Sequence, residues 1–328
     1  MGELTLHSRH LTLRLDADRG GEVTYIARAD QRNALAYFDW EAPLSGSSGP
    51  SYGSTELDWL SKYQAGWQFL FPNAGAESHA AGIPVAFHGE SSLARVGVLS
   101  HTETSCSIRT SARLPLELTR TIRVSLDTPT VYVEESVRNV GAVGVPFLWG
   151  HHPTFPAIAG ARIDLSAGAQ VAVEPTAAGG LRLEEFAWPT TLAAHGASVD
   201  VSSLPSASEE LVRLLYIRDL EGWVALRNPP GSGAPSVAMS WDTEAYPFLW
   251  MWLQNGDPGF PWYGRARMLG LEPQRAWPFD GLAGAVERGQ AEFIAPGETR
   301  SSWLTMTLLD DGAAPITGVS KSGHVTRG

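Results

Sequence analysis

The chain reads LTRTIRVS at residues 118–125 and VYVEESVR at residues 131–138. Apolar and polar residues alternate in both stretches, and β-branched side chains are frequent. Successive side chains of an extended strand point to opposite faces, so this alternation predicts two half-buried β-strands. Turn-forming residues flank each stretch, which strengthens the prediction.

The same pattern recurs along the chain, at residues 4–6, 11–15, 215–217, 223–227, 237–241 and 303–309. Helical patterns are sparse, and the best candidate is residues 206–214, where Ser206 and Glu209 match a capping box. A parallel sheet needs a crossover helix between strands, and such helices are missing from the pattern. The 34 glycines fit a chain with many turns. We therefore predict an all-β fold, an antiparallel sandwich or barrel with few short helices.

The domain organisation shows no internal repeat and no long central linker. We therefore predict a single domain over residues 1–309. The Ser- and Gly-rich stretch at residues 43–55 predicts a flexible loop. Residues 310–328 are also rich in Gly and Ser and predict a flexible C-terminal tail.

The composition is that of a globular protein, with 43% hydrophobic and 18% charged residues in a chain of 328. The formal net charge is -11, from 24 basic and 35 acidic residues, and no basic run is present. An acidic surface repels phosphate backbones, so nucleic acid is not an expected partner. A small neutral ligand fits this charge better than a polyanion.

The single cysteine, Cys106, excludes an intrachain disulfide, and its alternating surroundings predict a small buried strand residue. The first residues lack a charged segment followed by an apolar one, and no apolar run reaches the ~18 residues of a membrane span. We therefore expect a cytoplasmic protein without a membrane segment. The sequence does not determine the oligomeric state.

Five tryptophans fall within fewer than 40 residues, namely Trp241, Trp250, Trp252, Trp262 and Trp277. Sugars combine apolar C–H faces with polar rims, which suits an aromatic platform with hydrogen-bonding neighbours. The alternative is that these tryptophans are core residues of strands.

Four segments combine titratable side chains with Gly or Pro at predicted strand ends. They are WQFLFPNAG at residues 67–75, FHGE at 87–90, FLWGHHPTF at 147–155 and GLEPQ at 270–274. Glu272 follows apolar residues and precedes a proline, so it is either a desolvated general base or a surface carboxylate at a turn. His151 and His152 would point to opposite faces of a strand, and no third ligand is suitably spaced, so we expect no metal site. One of them facing a cleft would serve as a general acid or base, and the alternative is a hydrogen-bonded core histidine.

Together these segments resemble the aldose 1-epimerase (galactose mutarotase-like) family. The resemblance rests on His88-Gly89, on His152-Pro153-Thr154-Phe155 and on Leu271-Glu272-Pro273-Gln274, in this order. It covers residues from about 10 to 309. It implies a large antiparallel β-supersandwich with the site in an open cleft.

The resemblance also implies roles for these residues. Glu272 would be the general base that removes the proton of the anomeric hydroxyl, and His152 the general acid that protonates the ring oxygen. The ring would open, the C1–C2 bond would rotate, and closure would give the other anomer. His88 would hydrogen-bond the sugar or help to polarise the ring oxygen. Such chemistry needs one base and one acid but no metal and no redox cofactor.

The sugar partner is expected to contact further residues, and those predicted are Asn73, Gln68, His151, Trp252 and Gln274. The family carries an Asn-Arg step before its first His, whereas this chain has PNAG at residues 72–75, without the Arg. The family also uses a later Asp, for which Asp242 and Asp257 are candidates. The identity of the sugar therefore stays open. A sugar phosphate ranks second. Arg265 and Arg267 precede Glu272 and could bind a phosphate, but strand alternation would place Arg267 on the opposite face from Glu272.

Two other classes of function remain open from the sequence. One is a carbohydrate-binding protein without turnover. The other is a lyase, isomerase or hydrolase that acts on a sugar on the same scaffold. We expect an isomerase of the aldose 1-epimerase type.

Overall fold

The computed structural model describes residues 2–29, 31–38, 53–310 and 314–328. The strands in these residues are β1 (Glu3–His7), β2 (Thr12–Asp16), β3 (Glu22–Ala27), β4 (Trp67–Leu70), β5 (Ser78–Ala80), β6 (Ile83–Val85), β7 (Gly97–His101), β8 (Ser105–Ser111), β9 (Leu116–Val124), β10 (Thr130–Asn139), β11 (Val145–Phe147), β12 (Gly150–Pro156), β13 (Arg162–Leu165), β14 (Gln170–Ala178), β15 (Phe186–Ala187), β16 (Thr190–Leu192), β17 (Ser198–Asp200), β18 (Leu211–Arg218), β19 (Trp223–Arg227), β20 (Ser236–Trp241), β21 (Phe248–Asn255), β22 (Arg267–Gln274), β23 (Glu292–Ile294), β24 (Thr299–Leu309), β25 (Ile316–Val319) and β26 (Val325–Arg327). The helices are α1 (Thr55–Leu60) and α2 (Gly281–Glu287). Neither helix is long and apolar enough to cross a lipid bilayer.

Two large antiparallel sheets form the fold. One has ten strands in the order β1-β2-β3-β4-β12-β22-β21-β18-β14-β15, and the other has eight in the order β13-β19-β20-β24-β10-β9-β8-β7. All of the strands predicted from alternation are present. The predicted all-β antiparallel sandwich is therefore confirmed.

The layer between the two sheets is apolar. On β9 and β10 the inward positions hold residues such as Leu118, Ile122 and Val133, which are almost fully buried. They belong to one continuous cluster with residues of the ten-stranded sheet such as Leu13 and Phe69. Burial of this surface is the main driving force for the pairing of the sheets.

Two charged residues interrupt this apolar layer. Arg120 and Glu135 lie opposite each other on β9 and β10, and their side chains are 2.7 Å apart. From the other sheet, His151 Nε2 lies 3.1 Å from Glu135 Oε2, and the Tyr246 hydroxyl donates to the same oxygen. A buried polar network therefore joins the two sheets.

The central strands of the ten-stranded sheet are buried on both faces, as the unbroken burial along β4, β12 and β22 shows. The inner face packs on the second sheet. The outer face must therefore be covered by other parts of the chain. Trp59 of α1 and Trp262, which lies between β21 and β22, belong to a second buried cluster that contacts this outer face. The candidate site lies beneath this cover.

The predicted helix at residues 206–214 is wrong. The backbone N–H of Ser206 donates to Glu209 Oε1 at 3.1 Å, so half of the capping box forms. No helix follows, because residues from Leu211 onward form β18, which pairs with β14 on one side and β21 on the other. Tertiary pairing has overridden a local helix-start signal.

The described residues 314–328 of the predicted flexible tail contain regular secondary structure. β25 and β26 form a hairpin, and Ile316 is buried with Trp223 and Leu309. Most of the predicted flexible loop at 43–55 lies outside the described residues. Its last residues are described: Ser54 caps α1 by accepting a hydrogen bond from the backbone N–H of Leu57.

Replacing Glu135 with Gln would leave the Arg120 guanidinium buried without a counter-ion. We expect Glu135→Gln to lower the free energy of unfolding by about 3–5 kcal/mol, measured by chemical denaturation at pH 7. The matched control is Glu134→Gln, because Glu134 lies on the exposed face of the same strand and pairs with Arg123 at 3.0 Å. That change should cost at most about 1 kcal/mol.

The difference in unfolding free energy between the native protein and Glu135→Gln should depend on pH. Burial alone would raise the pKa of Glu135, but Arg120 and then His151 outweigh it and hold this pKa well below its usual range. The stabilisation is therefore present above the unfolded-state value of about 4.3 and is lost as the pH falls. The stability gap between native protein and Glu135→Gln should shrink below about pH 4. A gap that stays constant down to pH 3 would contradict the ionic network.

Candidate active site

The two residues predicted to be catalytic are cross-strand neighbours. The antiparallel register of β12 and β22 pairs Gly150 with Gln274 and Thr154 with Gly270, which places His152 opposite Glu272. His152 Nε2 lies 3.4 Å from Glu272 Oε1, and both side chains are buried.

His152 and Glu272 line a cavity of about 170 Å³ on the outer face of the ten-stranded sheet. Large apolar side chains form most of the wall, among them Trp59, Leu60, Phe87, Leu214, Trp250 and Trp252. The polar members include His88, His152, Glu174, Thr176 and Glu272. An apolar wall with a few converging polar groups is typical of small-molecule sites.

His88 reaches the cavity from a tight turn. His88 and Gly89 both have positive φ, and a Cβ at Gly89 would lie 2.3 Å from the carbonyl oxygen of Phe71, so glycine is required there. The backbone N–H of Gly75 donates to His88 Nδ1 at 3.0 Å. Nδ1 is thus an acceptor, which assigns the ring proton to Nε2 in the neutral form. Burial lowers the pKa of His88 well below its usual value, followed by a smaller effect of His152, so the ring is a neutral donor.

Asn73, predicted to contact the sugar, instead holds this turn together. Its Nδ2 donates to the carbonyl oxygens of Ala76 and Ala86, each at 2.8 Å, and its Oδ1 accepts from the backbone N–H of Leu282 at 2.7 Å. The side chain is fully buried and does not line the cavity. Its contribution is to position the segment that carries His88.

Burial shifts the two site pKa values in opposite directions. It raises the pKa of Glu272 well above the usual range, and a 3.4 Å hydrogen bond from Gln274 Nε2 only partly offsets this. It lowers the pKa of His152 to about 4. These opposite shifts favour the arrangement in which the proton of the pair lies on Glu272, beside a neutral imidazole. The Tyr63 hydroxyl lies 3.3 Å from His152 Nδ1 and fixes the other side of that ring.

Three further predicted sugar contacts lie behind the cavity wall. Gln68 Nε2 donates to Glu22 Oε2 at 3.5 Å. Gln274 Nε2 donates to the carbonyl oxygen of His151 at 3.2 Å, besides its bond to the site carboxyl. The His151 ring faces the layer between the sheets, where Trp67 Nε1 donates to its Nδ1 at 3.3 Å. These residues support the site but do not line it.

The tryptophan pattern was a useful signal. Trp252, which is predicted to contact the sugar, lines the cavity, and its ring centre is 5.7 Å from that of His152. Trp250 also lines the cavity, whereas the indole N–H of Trp241 donates to the carbonyl oxygen of Tyr246 inside the core. The cluster therefore includes both platform and core residues.

Glu174 is a site residue that the sequence analysis missed. Its Oε1 accepts from the backbone N–H of Thr176 at 3.0 Å and from the Thr176 hydroxyl at 2.6 Å. Its Oε2 accepts from the Tyr216 hydroxyl at 2.8 Å. The available signal was Glu174-Pro175, an apolar-strand carboxylate followed by proline, just as in Glu272-Pro273.

The sequence analysis also missed Trp59 of α1, because a helix of six residues is too short to show a clear helical periodicity. Its ring centre is 4.7 Å from that of His88. Its indole N–H is buried and has no hydrogen-bond partner among the residues that the structure describes. Such an orphan donor in a cavity wall is suited to a ligand oxygen.

The other candidates from the sequence lie elsewhere. Asp242 and Asp257 cap local turns by accepting from the backbone N–H groups of Glu244 and Gly259. Arg265 and Arg267 donate to backbone carbonyl oxygens of residues 262 and 207. In the described part of the chain, no Lys or Arg lines the cavity. No group of three His, Cys, Asp or Glu side chains suited to a metal ion is found there either.

Comparison with known proteins finds likeness in structure only. No protein-family model matches the chain, and no curated protein matches it. A proposed aldose 1-epimerase from Escherichia coli K12 superposes with a TM-score of 0.58 at 21% identity, over 94% of this chain and 99% of the other. A galactose mutarotase-like protein from Clostridium acetobutylicum gives 0.61 at 14% identity, over 94% and 95% of the two chains. The Slr1438 protein of Synechocystis gives 0.65 at 18%, over 93% and 95%.

These identities are too low to carry function from one protein to another. What they establish is the architecture, since nearly the whole of both chains superposes in each comparison. The protein has the antiparallel β-sandwich fold of galactose mutarotase-like proteins.

Proposed function

We propose that the protein is an isomerase of the aldose 1-epimerase type, which interconverts the α and β anomers of an aldose. The observation that carries this proposal is the contact between His152 Nε2 and Glu272 Oε1, 3.4 Å apart in the wall of an aromatic cavity. The structural likeness to mutarotase-like proteins agrees with it.

Anomer exchange requires one proton to leave the anomeric hydroxyl and one proton to reach the ring oxygen. The bond between C1 and the ring oxygen then breaks, and C1 becomes an aldehyde. Rotation about C1–C2 presents the other face of the carbonyl, and ring closure returns both protons. A single base and a single acid placed side by side are sufficient.

The pair of His152 and Glu272 holds the single proton that this exchange needs. Transfer of the Glu272 proton to His152 gives a carboxylate base and an imidazolium acid. The carboxylate then takes the anomeric proton while the imidazolium protonates the ring oxygen, and closure reverses both roles. His88 donates through Nε2 to a sugar oxygen and so fixes the ring relative to the pair.

The walls favour a neutral sugar over a phosphorylated one. The flat rings of Trp250 and Trp252 suit the C–H face of a pyranose. A phosphate needs Arg or Lys for tight recognition, and neither lines the cavity among the described residues. A sugar phosphate is therefore the less suitable substrate.

Saturation-transfer NMR on a panel of aldoses tests this proposal, since it measures anomer exchange at equilibrium. We expect the native protein to accelerate exchange of at least one neutral aldose, and Glu272→Gln and His152→Ala each to lower kcat by about 10²–10⁴. The matched controls are Glu287→Gln and His195→Ala, both at exposed positions, which should keep native rates. Sugar binding without exchange would indicate a binding protein, and a product beyond the two anomers would indicate different chemistry.

The shared proton also predicts the pH profile. Below about pH 4 His152 is protonated while Glu272 still carries its proton, so the pair contains no base. At high pH Glu272 loses the shared proton and no acid remains. After subtraction of the uncatalysed rate, kcat/KM should therefore be bell-shaped, with its acid limb near pH 4. An acid limb near pH 6.5, the ordinary value for histidine, would contradict a desolvated pair.

A further inference from the structure

Glu174 is a carboxylate at the far side of the same cavity, and the proposed reaction does not use it. It is almost fully buried, and its two oxygens accept three hydrogen bonds from Thr176 and Tyr216. The Tyr216 hydroxyl in turn accepts from the backbone N–H of Phe279 at 3.2 Å. The carboxylate is thus held in one position by groups on two strands and one loop.

The sheet register fixes where Glu174 lies relative to the catalytic pair. Glu272 on β22 is opposite Trp250 on β21, Trp250 is opposite Tyr216 on β18, and Tyr216 is opposite Ala172 on β14. β14 is therefore three strands away from β22, and Glu174 lies two residues beyond Ala172, which puts its backbone ~16 Å from that of Glu272. Both side chains line one cavity. A ligand with its anomeric carbon at Glu272 directs its opposite end toward Glu174.

The hydrogen bonds leave one acceptor position free on Glu174. Oε1 already receives two donors from Thr176, whereas among the residues that the structure describes Oε2 receives only the Tyr216 hydroxyl. A carboxylate oxygen has two lone pairs, so Oε2 can accept one more hydrogen bond. The ligand group that meets it must be a donor. A phosphate or carboxylate there would face a fixed negative charge.

We propose that Glu174 determines substrate specificity, by accepting a hydrogen bond from a hydroxyl at the end of the sugar remote from the anomeric carbon. This inference rests on the proposed function for the orientation of the sugar. It makes the substrate class a neutral aldose with a free remote hydroxyl, and it disfavours aldoses whose remote end carries phosphate or carboxylate.

The test combines Glu174→Gln with deoxy sugars. Kd is measured by calorimetry, and kcat/KM by saturation-transfer NMR, for D-glucose, D-galactose, their 3-, 4- and 6-deoxy analogues and glucose 6-phosphate. Glu184→Gln is the matched control, because it removes the same charge from an exposed position. Thr176→Val is a second variant, which leaves Glu174 in place but removes one of the donors that hold it.

For the preferred hexose, Glu174→Gln should weaken binding and lower kcat/KM about 10–100-fold, the usual loss for a hydrogen bond to a charged group. One deoxy analogue should show the same loss with the native protein and no further loss with Glu174→Gln. Thr176→Val should give a smaller loss of affinity and kcat/KM, and this loss should disappear with the same deoxy analogue. Glu174→Gln should also reduce the ratio of kcat/KM for the preferred hexose to that for glucose 6-phosphate. Glu184→Gln should match the native protein.

Equal losses for all analogues in both variants, or no loss at all, would overturn the inference while leaving the proposed function intact. The expected Kd pattern without any anomer exchange would leave Glu174 as a recognition residue and overturn the proposed function. A native protein that neither binds nor exchanges any of these sugars would overturn both.

Discussion

The register between β12 and β22 is the constraint on which the rest of the site depends. It sets His152 opposite Glu272 on one face of the sheet and turns His151 toward Glu135 on the other. Because strand side chains alternate, a slip of one residue on β12 would exchange the two histidines. The apolar layer between the sheets penalises such a slip, so packing far from the cavity specifies its chemistry.

His151 and His152 on β12 each face a buried glutamate, and the pKa values of these two glutamates are shifted in opposite directions. On the inner face Glu135 meets Arg120, and its pKa lies below the usual range. On the outer face no Lys or Arg of the described residues lines the cavity beside Glu272, and burial raises the pKa of this carboxyl group. The first arrangement stabilises the ionised carboxylate and links the sheets. The second leaves a carboxyl whose proton is available for transfer, which is what a reversible acid and base pair requires.

Sequence patterns predicted the strands well, because half-buried strands carry alternation in the sequence itself. The motifs and the tryptophan cluster also drew attention to His152, Glu272, His88 and Trp252, and the structure places all four in the wall of one cavity.

The sequence was less informative wherever long-range contacts decide the outcome. Ser206 and Glu209 satisfy a local capping rule, but pairing with two distant strands makes the following segment β18. Asn73 and Gln274 lie in the right motifs, yet neither lines the cavity. Asn73 bonds to backbone groups, and Gln274 bonds to the backbone of His151 and to Glu272 from behind the wall. Glu174 precedes a proline as Glu272 does, but only the sheet order brings β14 near β22 and shows that both carboxyl groups line one cavity.

A crystal structure of Glu272→Gln with a bound aldose would test the central claim most directly, because the substitution keeps the shape of the site and slows exchange. The account predicts the anomeric hydroxyl within hydrogen-bond distance of residue 272, the ring oxygen beside His152 Nε2 and a remote hydroxyl at Glu174. A sugar bound outside this cavity, or with its anomeric carbon at Glu174, would contradict it.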